Sequence, residues 1–495
     1  MTTHLDSPVA AAQWLRQHVA GSLTVDSRQI RPGDGFIAWP GASVDARQFV
    51  AGALGAGASA CLAEAQHASQ YEFGDERVAL YSGLKTAAAP IAAAYYDDPS
   101  RQLQTVAITG TNGKTSTAWW LAHALERLGR KCGVVGTLGV GAPSAMVFNG
   151  LTTPDPVLLQ RELRRFVDEG FAACAIEASS IGIAEHRLDC VQISVAVFTN
   201  FTQDHLDYHP SMAHYWAAKE SLFEWPGLES AVINIDDANG AELFARIERS
   251  GRQAWSVSCN QPARIQACRI DQHADFMTVD FVEGQERRST RLSTVGLFNV
   301  SNILCVVGSL RALGVPFKEA VHACADLPPV PGRLNTVVSA SGPLVVIDYA
   351  HTPDALEKVL TALKPVAQKR AGQLWCVFGC GGDRDAGKRP LMGAAVQKYA
   401  DQIVVTSDNP RSESADAIIK QITTVLTGVK PFHVQSDRAK AIAESVQLAN
   451  SNDVILIAGK GHEDYQEIEG VKLPFSDQSH AQAALSLRVA LKAVA

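Results

Sequence analysis

Lys114 and Thr115 close a glycine-rich turn in the stretch Thr105-Val-Ala-Ile-Thr-Gly110-Thr111-Asn112-Gly113-Lys114-Thr115-Ser116. Gly110 and Gly113 can take backbone angles that other residues resist, so their N–H groups can converge on an anion. Lys114 adds a mobile positive charge, and Thr115 places a hydroxyl where a phosphate-bound Mg²⁺ sits. A helix starting near Thr115 points its positive dipole end at the same spot. The chemistry these residues suit is the binding of a nucleoside triphosphate. The full P-loop pattern asks for glycine five residues before Gly113, where this chain has Ile108, so the motif is the short G-x-x-G-K-T form. The plainer reading is a helix N-cap turn with a solvated lysine. The strand–turn–helix context favours the phosphate site.

A triphosphate site needs acids to hold its metal. Glu177 ends the apolar run Ala173-Cys-Ala-Ile-Glu177, and Thr199-Asn-Phe-Thr-Gln-Asp204-His205-Leu-Asp207-Tyr-His209 ends another. Histidine offers a metal ligand or an acid–base group. Lys219, in Tyr215-Trp-Ala-Ala-Lys-Glu-Ser, reads by pattern as a solvated helix lysine. Further along, three glycine-containing segments follow strand-like runs: Cys380-Gly-Gly-Asp-Arg384-Asp, Ser407-Asp408-Asn409-Pro410-Arg411 and Gly459-Lys-Gly-His-Glu463. Arg384 and Arg411 can clamp carboxylates through paired hydrogen bonds. Asp408 and Glu463 can accept from an ammonium group. Each segment alone is an ordinary loop; together they suit a zwitterionic, amino-acid-like ligand.

The elements that must position these groups follow from the apolar pattern. Val106-Ala-Ile, Cys132-Gly-Val-Val, Ala173–Ile176, Ile193–Phe198 and Ala231–Asn234 are continuous apolar runs, with helical stretches such as 117–128 and 158–169 between several of them. Continuous rather than alternating apolar strands predict a parallel sheet covered on both faces, with ligands beyond the strands' carboxyl ends. Leu327-Pro-Pro-Val-Pro-Gly332 punctuates the chain, and the pattern restarts at 344–348, 374–378, 403–406 and 454–457, with a helix over 354–364. Before residue 100, short strand-like pieces (23–25, 35–39) alternate with alanine-rich helical stretches. The fold class is α/β in three domains, which fits 495 residues at roughly 150 per domain. The boundaries fall at 1–100, 101–334 and 335–495.

Composition sets further bounds. A net charge of −7 argues against sequence-independent nucleic-acid binding, which needs a basic face. No apolar run approaches the ~20 residues that cross a bilayer, and the N-terminus shows no signal-peptide pattern. The ten cysteines lack paired zinc spacing and read as reduced and mostly core, which places the protein in the cytoplasm.

Gly110-Thr-Asn-Gly-Lys-Thr115, Asp204-His-Leu-Asp-Tyr-His209, Asp348-Tyr-Ala-His-Thr-Pro353 and Asp408-Asn-Pro-Arg411, in this order, resemble the Mur ligases. These are the ATP-dependent enzymes that build the peptidoglycan stem peptide. The likeness covers essentially the whole chain. The Asp-Asn-Pro-Arg segment resembles the signature of members that add meso-diaminopimelate to UDP-N-acetylmuramoyl-L-alanyl-D-glutamate. The resemblance implies an N-terminal UDP-binding α/β domain, a central P-loop-like ATPase domain with a mostly parallel sheet, and a C-terminal Rossmann-like domain for the amino acid. It implies ATP and Mg²⁺ as cofactors, small-molecule substrates only, no membrane insertion, and a monomer.

By position, the resemblance puts Val25, Ser27, Ala42, Ser43 and Val44 at uridine, and Thr152, Thr153, Ser179, Glu185 and Arg187 at the muramoyl-dipeptide. It puts Gly110 to Ser116, Asn299, Asn302, Arg333 and Asp348 at ATP. It puts Arg384, Asp408, Asn409, Pro410, Arg411, Gly459 and Glu463 at diaminopimelate. Lys114, Glu177, His205 and Lys219 become catalytic, with Thr115, Glu177, His205 and Lys219 (as N6-carboxylysine) at the metal. Two positions depart from the family pattern. Ile181 replaces a histidine, and Glu185 stands where glutamine is usual. A carboxylate there repels an acidic substrate unless it is protonated or paired with a cation. Three other readings remain: a folylpolyglutamate synthetase-like ligase of the same superfamily, a small-molecule P-loop kinase, and a non-catalytic nucleotide-binding scaffold.

Overall fold

The structure is a computed structural model describing residues 3–41, 44–71, 73–273, 276–337, 339, 342–426 and 432–494. The Ala42 and Ser43 positions expected at uridine lie outside the described residues. By their internal packing the described residues form two compact units. The first comprises the chain up to Thr109, Leu125–Val197 and Ala218–Ala231; the second comprises Gly110–Ala124, Phe198–Ala217 and the chain from Val232 onward.

The first unit begins with a five-stranded, all-parallel sheet. Its order is Thr3–Leu5, Val78–Tyr81, Ala60–Glu64, Gly35–Ala38, Leu23–Thr24. One face buries Leu15, Leu62, Leu84 and Ile91, the other Phe36, Val50, Cys61 and Val78. The unit continues with strands ordered Val195–Phe198, Gln104–Thr109, Ala173–Glu177, Cys132–Gly136, Gly139–Ala142 and Ala145–Val147. The strand 173–177 pairs in parallel with 104–109 and 132–136, which sets Glu177 level with Ile108 at the carboxyl end. The helix Pro156–Asp168 starts where Asp155 accepts the N–H groups of Val157 and Leu158, and Pro156 occupies the first turn.

In the second unit the strands Asn335–Val337, Leu344–Asp348, Val454–Ala458, Leu374–Phe378, Gln402–Val405 and Phe432–Val434 lie in that order. Only the first pairing is antiparallel. Helices Pro353–Lys369, Lys388–Tyr399 and Ala415–Thr423 cover one face through Leu360, Met392 and Ile422; Arg438–Leu448 and Asp477–Val494 cover the other through Ile442 and Leu485. The helix at Pro353 is longer than the expected 354–364, because its apolar face continues through Val366 and Ala367.

Mostly parallel sheets match the expected class, with antiparallel additions: Cys132–Gly136, Gly139–Ala142 and Ala145–Val147 pair antiparallel in turn, and a second set lies further along the chain. Ile265–Gln272, Met277–Glu283 and Glu286–Leu292 form an antiparallel wing. Met277, Val279 and Phe281 are buried while Thr278 and Asp280 are half-buried, the alternation expected when only one face packs. The strand expected from Ile193 begins at Val195, just after Ser194 donates to Thr105 O (2.9 Å) on the neighbouring strand. All ten cysteines are free and seven are buried. No described helix is long and apolar enough to cross a membrane.

Candidate active site

The glycine turn lies in the second unit, ahead of the helix Lys114–Arg127. Gly113 has φ +88°, and a Cβ there would sit 2.3 Å from Asn302 Oδ1, so only glycine allows this approach. Asn302 in turn donates to Asn299 Oδ1, and Asn299 donates to Val295 O (2.9 Å) and Thr294 Oγ1 (2.8 Å). The two asparagines expected near adenine therefore brace each other and the turn. The segment 199–202 latches the loop from its other side. Thr199 Oγ1 donates to Asn112 O (2.6 Å), Asn200 O accepts from Thr111 N (2.8 Å), and Thr202 O accepts from Thr111 Oγ1 (3.0 Å). The Lys114 ammonium donates to Gly110 O and Thr111 O at 2.9 and 2.8 Å. It closes the loop on itself and can turn outward to a phosphate. Arg333 Nη2 donates to Thr115 Oγ1 (3.1 Å), its guanidinium lies 4.5 Å from the Tyr349 ring centre, and its buried Nε has no hydrogen-bond partner. A half-buried guanidinium with a spare donor beside a P-loop threonine suits an anion.

Asp348 is buried and accepts from Leu334 N and Ala350 N, both at 2.8 Å. Burial pushes its carboxyl above the usual range, partly offset by Arg333. It thus braces the turn carrying Arg333, next to the positive φ of Leu334 (46°). Nearby, Asp204 Oδ2 lies 3.6 Å from His205 Nε2 and 3.7 Å from His351 Nε2, and its Oδ1 lies 3.6 Å from Lys388 Nζ. Burial works against the charged form of Asp204, but His351, His205 and Lys388 outweigh it and hold the carboxyl well below its ordinary value. His205 has φ +54°, which turns it back onto Asp204.

The three charged loops of the 344–458 sheet meet one another through side-chain and backbone hydrogen bonds. Asn409 Nδ2 donates to Glu463 Oε2 (2.9 Å) and Gly382 N donates to Asn409 O (2.9 Å). Arg411 has φ +52°, donates to Gly382 O (2.7 Å) and lies 3.4 Å from Glu467. Pro410 O accepts from Glu413 N, which turns the loop. Arg384 is half exposed, donates to Asp383 O and lies 3.9 Å from Asp207. Asp408 is buried against Gly459, whose Cβ would lie 2.3 Å from Asp408 Oδ2. Burial raises the Asp408 carboxyl, but Lys460 and Arg438 more than compensate and hold it low.

In the first unit, Glu177 is 1% exposed. Its Oε1 accepts from Thr137 N (2.8 Å) and its Oε2 from Thr137 Oγ1 (3.2 Å). A Cβ on Gly136 would lie 2.2 Å from Oε1, so the strand end must be glycine for this carboxylate to fold back onto it. Thr137 Oγ1 also meets Thr152 Oγ1 at 3.1 Å. Thr153 Oγ1 meets Glu177 O (2.7 Å) and Ser179 Oγ (2.9 Å), and Thr153 O accepts from Arg187 (2.9 Å). Thr152, Thr153, Ser179 and Arg187 therefore form one network around the Glu177 strand end. Glu185 pairs with Lys85 at 2.7 Å, so its charge is compensated by a cation, one of the two conditions for an acid to be tolerated there. Lys219 is in the helix Met212–Glu220, 1% exposed rather than solvated. Ser27 opens a short 3₁₀ turn capped by Asp26, Val25 is half-buried and Val44 is exposed.

The Thr115 hydroxyl in the second unit and the Glu177 carboxylate in the first are each hard oxygen donors of the kind magnesium takes. Among the described residues no group of three or more His, Cys, Asp or Glu forms a metal cage. Mg²⁺ ordinarily takes one or two carboxylates, with phosphates and water completing its shell, so a single buried carboxylate fits it. Thr137, Thr199, Asn200, His351, Lys388, Lys460, Glu467 and Lys85 were not picked out by sequence as individual contributors. Thr199, Asn200, His351 and Lys460 sit inside motifs read from the sequence; Lys85 carries no signal.

Known proteins are similar to this chain in sequence and fold. Residues 108–310 match the Mur ligase middle domain and residues 332–461 the Mur ligase glutamate ligase domain. A UDP-N-acetylmuramoyl-L-alanyl-D-glutamate–2,6-diaminopimelate ligase of Acidovorax sp. (strain JS42) is 54% identical over 485 residues, covering 97% of each chain. A solved structure of a ligase with the same name has TM-score 0.63 and 32% identity, covering 94% of this chain and 95% of its own. MurF ligase from Thermotoga maritima, in complex with ADP, shares the fold at TM-score 0.70 and 18% identity, covering 95% and 98%.

Proposed function

This chain belongs to the Mur ligase family, and we propose that it forms an amide in two steps, activating a substrate carboxylate as an acyl phosphate before an amine displaces the phosphate. The protein is an ATP-dependent ligase that adds 2,6-diaminopimelate to UDP-N-acetylmuramoyl-L-alanyl-D-glutamate in peptidoglycan synthesis. The observation that carries the residue-level reading is the convergence of Asn409, Arg411 and Glu463 at one sheet end. That pocket offers a cation for carboxylate and an anion for ammonium.

The residue assignments are as follows from chemistry and resemblance. The domains run 1–100 for UDP substrate, 101–334 for ATP and 335–495 for the amino acid. Lys114 leaves the carbonyls of Gly110 and Thr111 for the β/γ-phosphates. Asn299 and Asn302 meet adenine, and Arg333 meets phosphate. By the resemblance, Thr115, Glu177, His205 and carboxylated Lys219 would be the residues that hold Mg²⁺. When bound, Mg²⁺ neutralises phosphate charge as a Lewis acid. Thr152, Thr153, Ser179 and Arg187 seat the muramoyl-dipeptide, with Val25, Ser27 and Val44 at uridine. Arg384 and Arg411 hold the distal carboxylate of the meso isomer. The enzyme works as a cytoplasmic monomer.

Bringing a triphosphate to a carboxylate costs about 4 kcal/mol per like-charge pair at 4 Å and an effective dielectric of 20. Lys114 and Arg333 offset this by facing the phosphates. The D-glutamyl carboxylate oxygen then attacks the γ-phosphorus and ADP leaves. The deprotonated amine attacks the acyl carbon, and the tetrahedral intermediate expels inorganic phosphate and a proton. Carboxylation of Lys219 exchanges a cation for an anionic oxygen ligand, which requires its amine to be neutral when CO₂ adds. The test is ADP release with the UDP-dipeptide, with and without meso-diaminopimelate. Release that depends on both supports the reading; release indifferent to the amine refutes it.

A further inference from the structure

One fully buried cation in the amino-acid pocket has no part in the chemistry above. Lys460 is 0% exposed. Its ammonium donates to Asn409 Oδ1 (2.9 Å) and to Glu463 Oε2 (2.8 Å), and sits 5.4 Å from the centre of the Tyr465 ring. Ammonium groups only donate, so the two bonds fix which side of each partner faces inward. Asn409 Oδ1 accepts from Lys460 and also from Glu467 N (3.0 Å). Its Nδ2 is thereby forced toward Glu463, where it donates to the same Oε2 at 2.9 Å. Oε2 takes both bonds, while Oε1 takes neither. Lys460, Asn409 and Glu463 form a closed triangle that turns one carboxylate oxygen away from the protein's own donors.

We propose that Lys460 is the positioning residue of this pocket, presenting Glu463 Oε1 as the acceptor for the ammonium group of the incoming amino acid. The inference rests on the ligase reading above. Its electrostatic logic is independent of the family. The buried Asp408 is compensated by Arg438 as well as by this lysine, whereas Glu463, with its side chain 15% exposed, has the lysine as its one ion-pair partner among the described residues and without it keeps the Asn409 amide. The bracing beneath is equally rigid. Arg438 donates to Ser407 O (3.1 Å), Ala458 O (3.0 Å) and both oxygens of Asp477 (2.7 Å each). It ties together the strand ends on which Asn409 and Lys460 are carried. The triangle is therefore set on fixed backbone and does not need ligand to form.

The test is a double-mutant cycle read by steady-state phosphate release from the full-length enzyme, titrating meso-diaminopimelate, ATP and UDP-dipeptide separately. Truncating one partner of a buried charge pair typically weakens binding by about 30-fold or more. K460M is expected to raise the KM for meso-diaminopimelate by about that factor, leaving the KM values for ATP and UDP-dipeptide within about threefold. E463Q should do the same. Because Lys460 acts through Glu463, the double variant K460M/E463Q should be no worse than E463Q alone by more than about threefold. A multiplicative loss in the double variant overturns the proposal, as does an unchanged diaminopimelate KM in K460M or an equal rise in all three KM values. If K460M alone does not fold, removal of the uncompensated acid in K460M/E463Q should restore folding with the KM of E463Q, and failure to do so also overturns it. A wild-type enzyme without amine-dependent phosphate release would instead refute the ligase reading.

Discussion

Replacing Thr137 with valine removes one hydroxyl and little volume, and it isolates the support given to Glu177. In the native network the Thr137 hydroxyl donates to Glu177 Oε2 at 3.2 Å, and the Thr137 N–H holds Oε1 at 2.8 Å. T137V keeps the second bond and loses the first. A hydrogen bond to a charged group contributes about 1.5–3 kcal/mol, and a 3.2 Å contact belongs at the lower end of that range. Thr152 Oγ1 also loses its 3.1 Å neighbour. A loss of about 1.5–2 kcal/mol is roughly 10- to 30-fold in rate. The carboxylate would gain freedom to rotate, so the loss should be felt in kcat/KM for the UDP-dipeptide and in the Mg²⁺ concentration for half-maximal rate. T137S keeps the hydroxyl and should recover activity to within about threefold. The assay is phosphate release at saturating ATP and diaminopimelate over a Mg²⁺ titration, with thermal unfolding to confirm that both variants fold. T137V within twofold of wild type at every Mg²⁺ concentration would refute the role given to this hydroxyl.

Other expectations follow from the same geometry. Diaminopimelate differs from lysine by one carboxylate, and an arginine left unpaired in a built site discriminates by ~10⁴ to 10⁵; R411M should erase most of that preference in competition assays, and an intact preference would remove Arg411 from specificity. The Arg47 side-chain bonds to Asp45 lower its carboxyl to about 2. A depressed folded value stabilises above the unfolded range near 4 and is lost as pH falls toward 2. D45N should therefore flatten the acid limb of the thermal-unfolding profile between pH 4 and 2, and an unchanged limb would assign acid sensitivity elsewhere. Cys190 and Cys268 are exposed, Cys259 is half-buried with its thiol pushed up to about 11 by burial, and the remaining seven are buried. Thiol titration of native enzyme should give two fast reactions, and all ten only after unfolding; more than three fast thiols would contradict the packing. Lys219→Ala should abolish most turnover without unfolding the protein, and near wild-type turnover would exclude Lys219 from the mechanism.

What the sequence determined alone was whatever depends on neighbours along the chain. The Gly110–Thr115 turn, the parallel strands read from continuous apolar runs, the capped helices and the charged loops at strand ends all follow from spacing, because backbone conformation is set within a few residues. The same holds for the Asp408-Asn-Pro-Arg411 loop. Tertiary structure alone decided which distant side chains meet. Thr137 reaches Glu177 across 40 residues, Lys460 reaches Asn409 across 51, and Arg333 reaches Thr115 across 218. Lys219 reads as a surface lysine by pattern and is buried by packing. Glu185 reads as a misplaced anion until Lys85 is seen beside it. Strand order and helix packing fix such pairs, and both come from the global burial of apolar faces rather than from any local spacing.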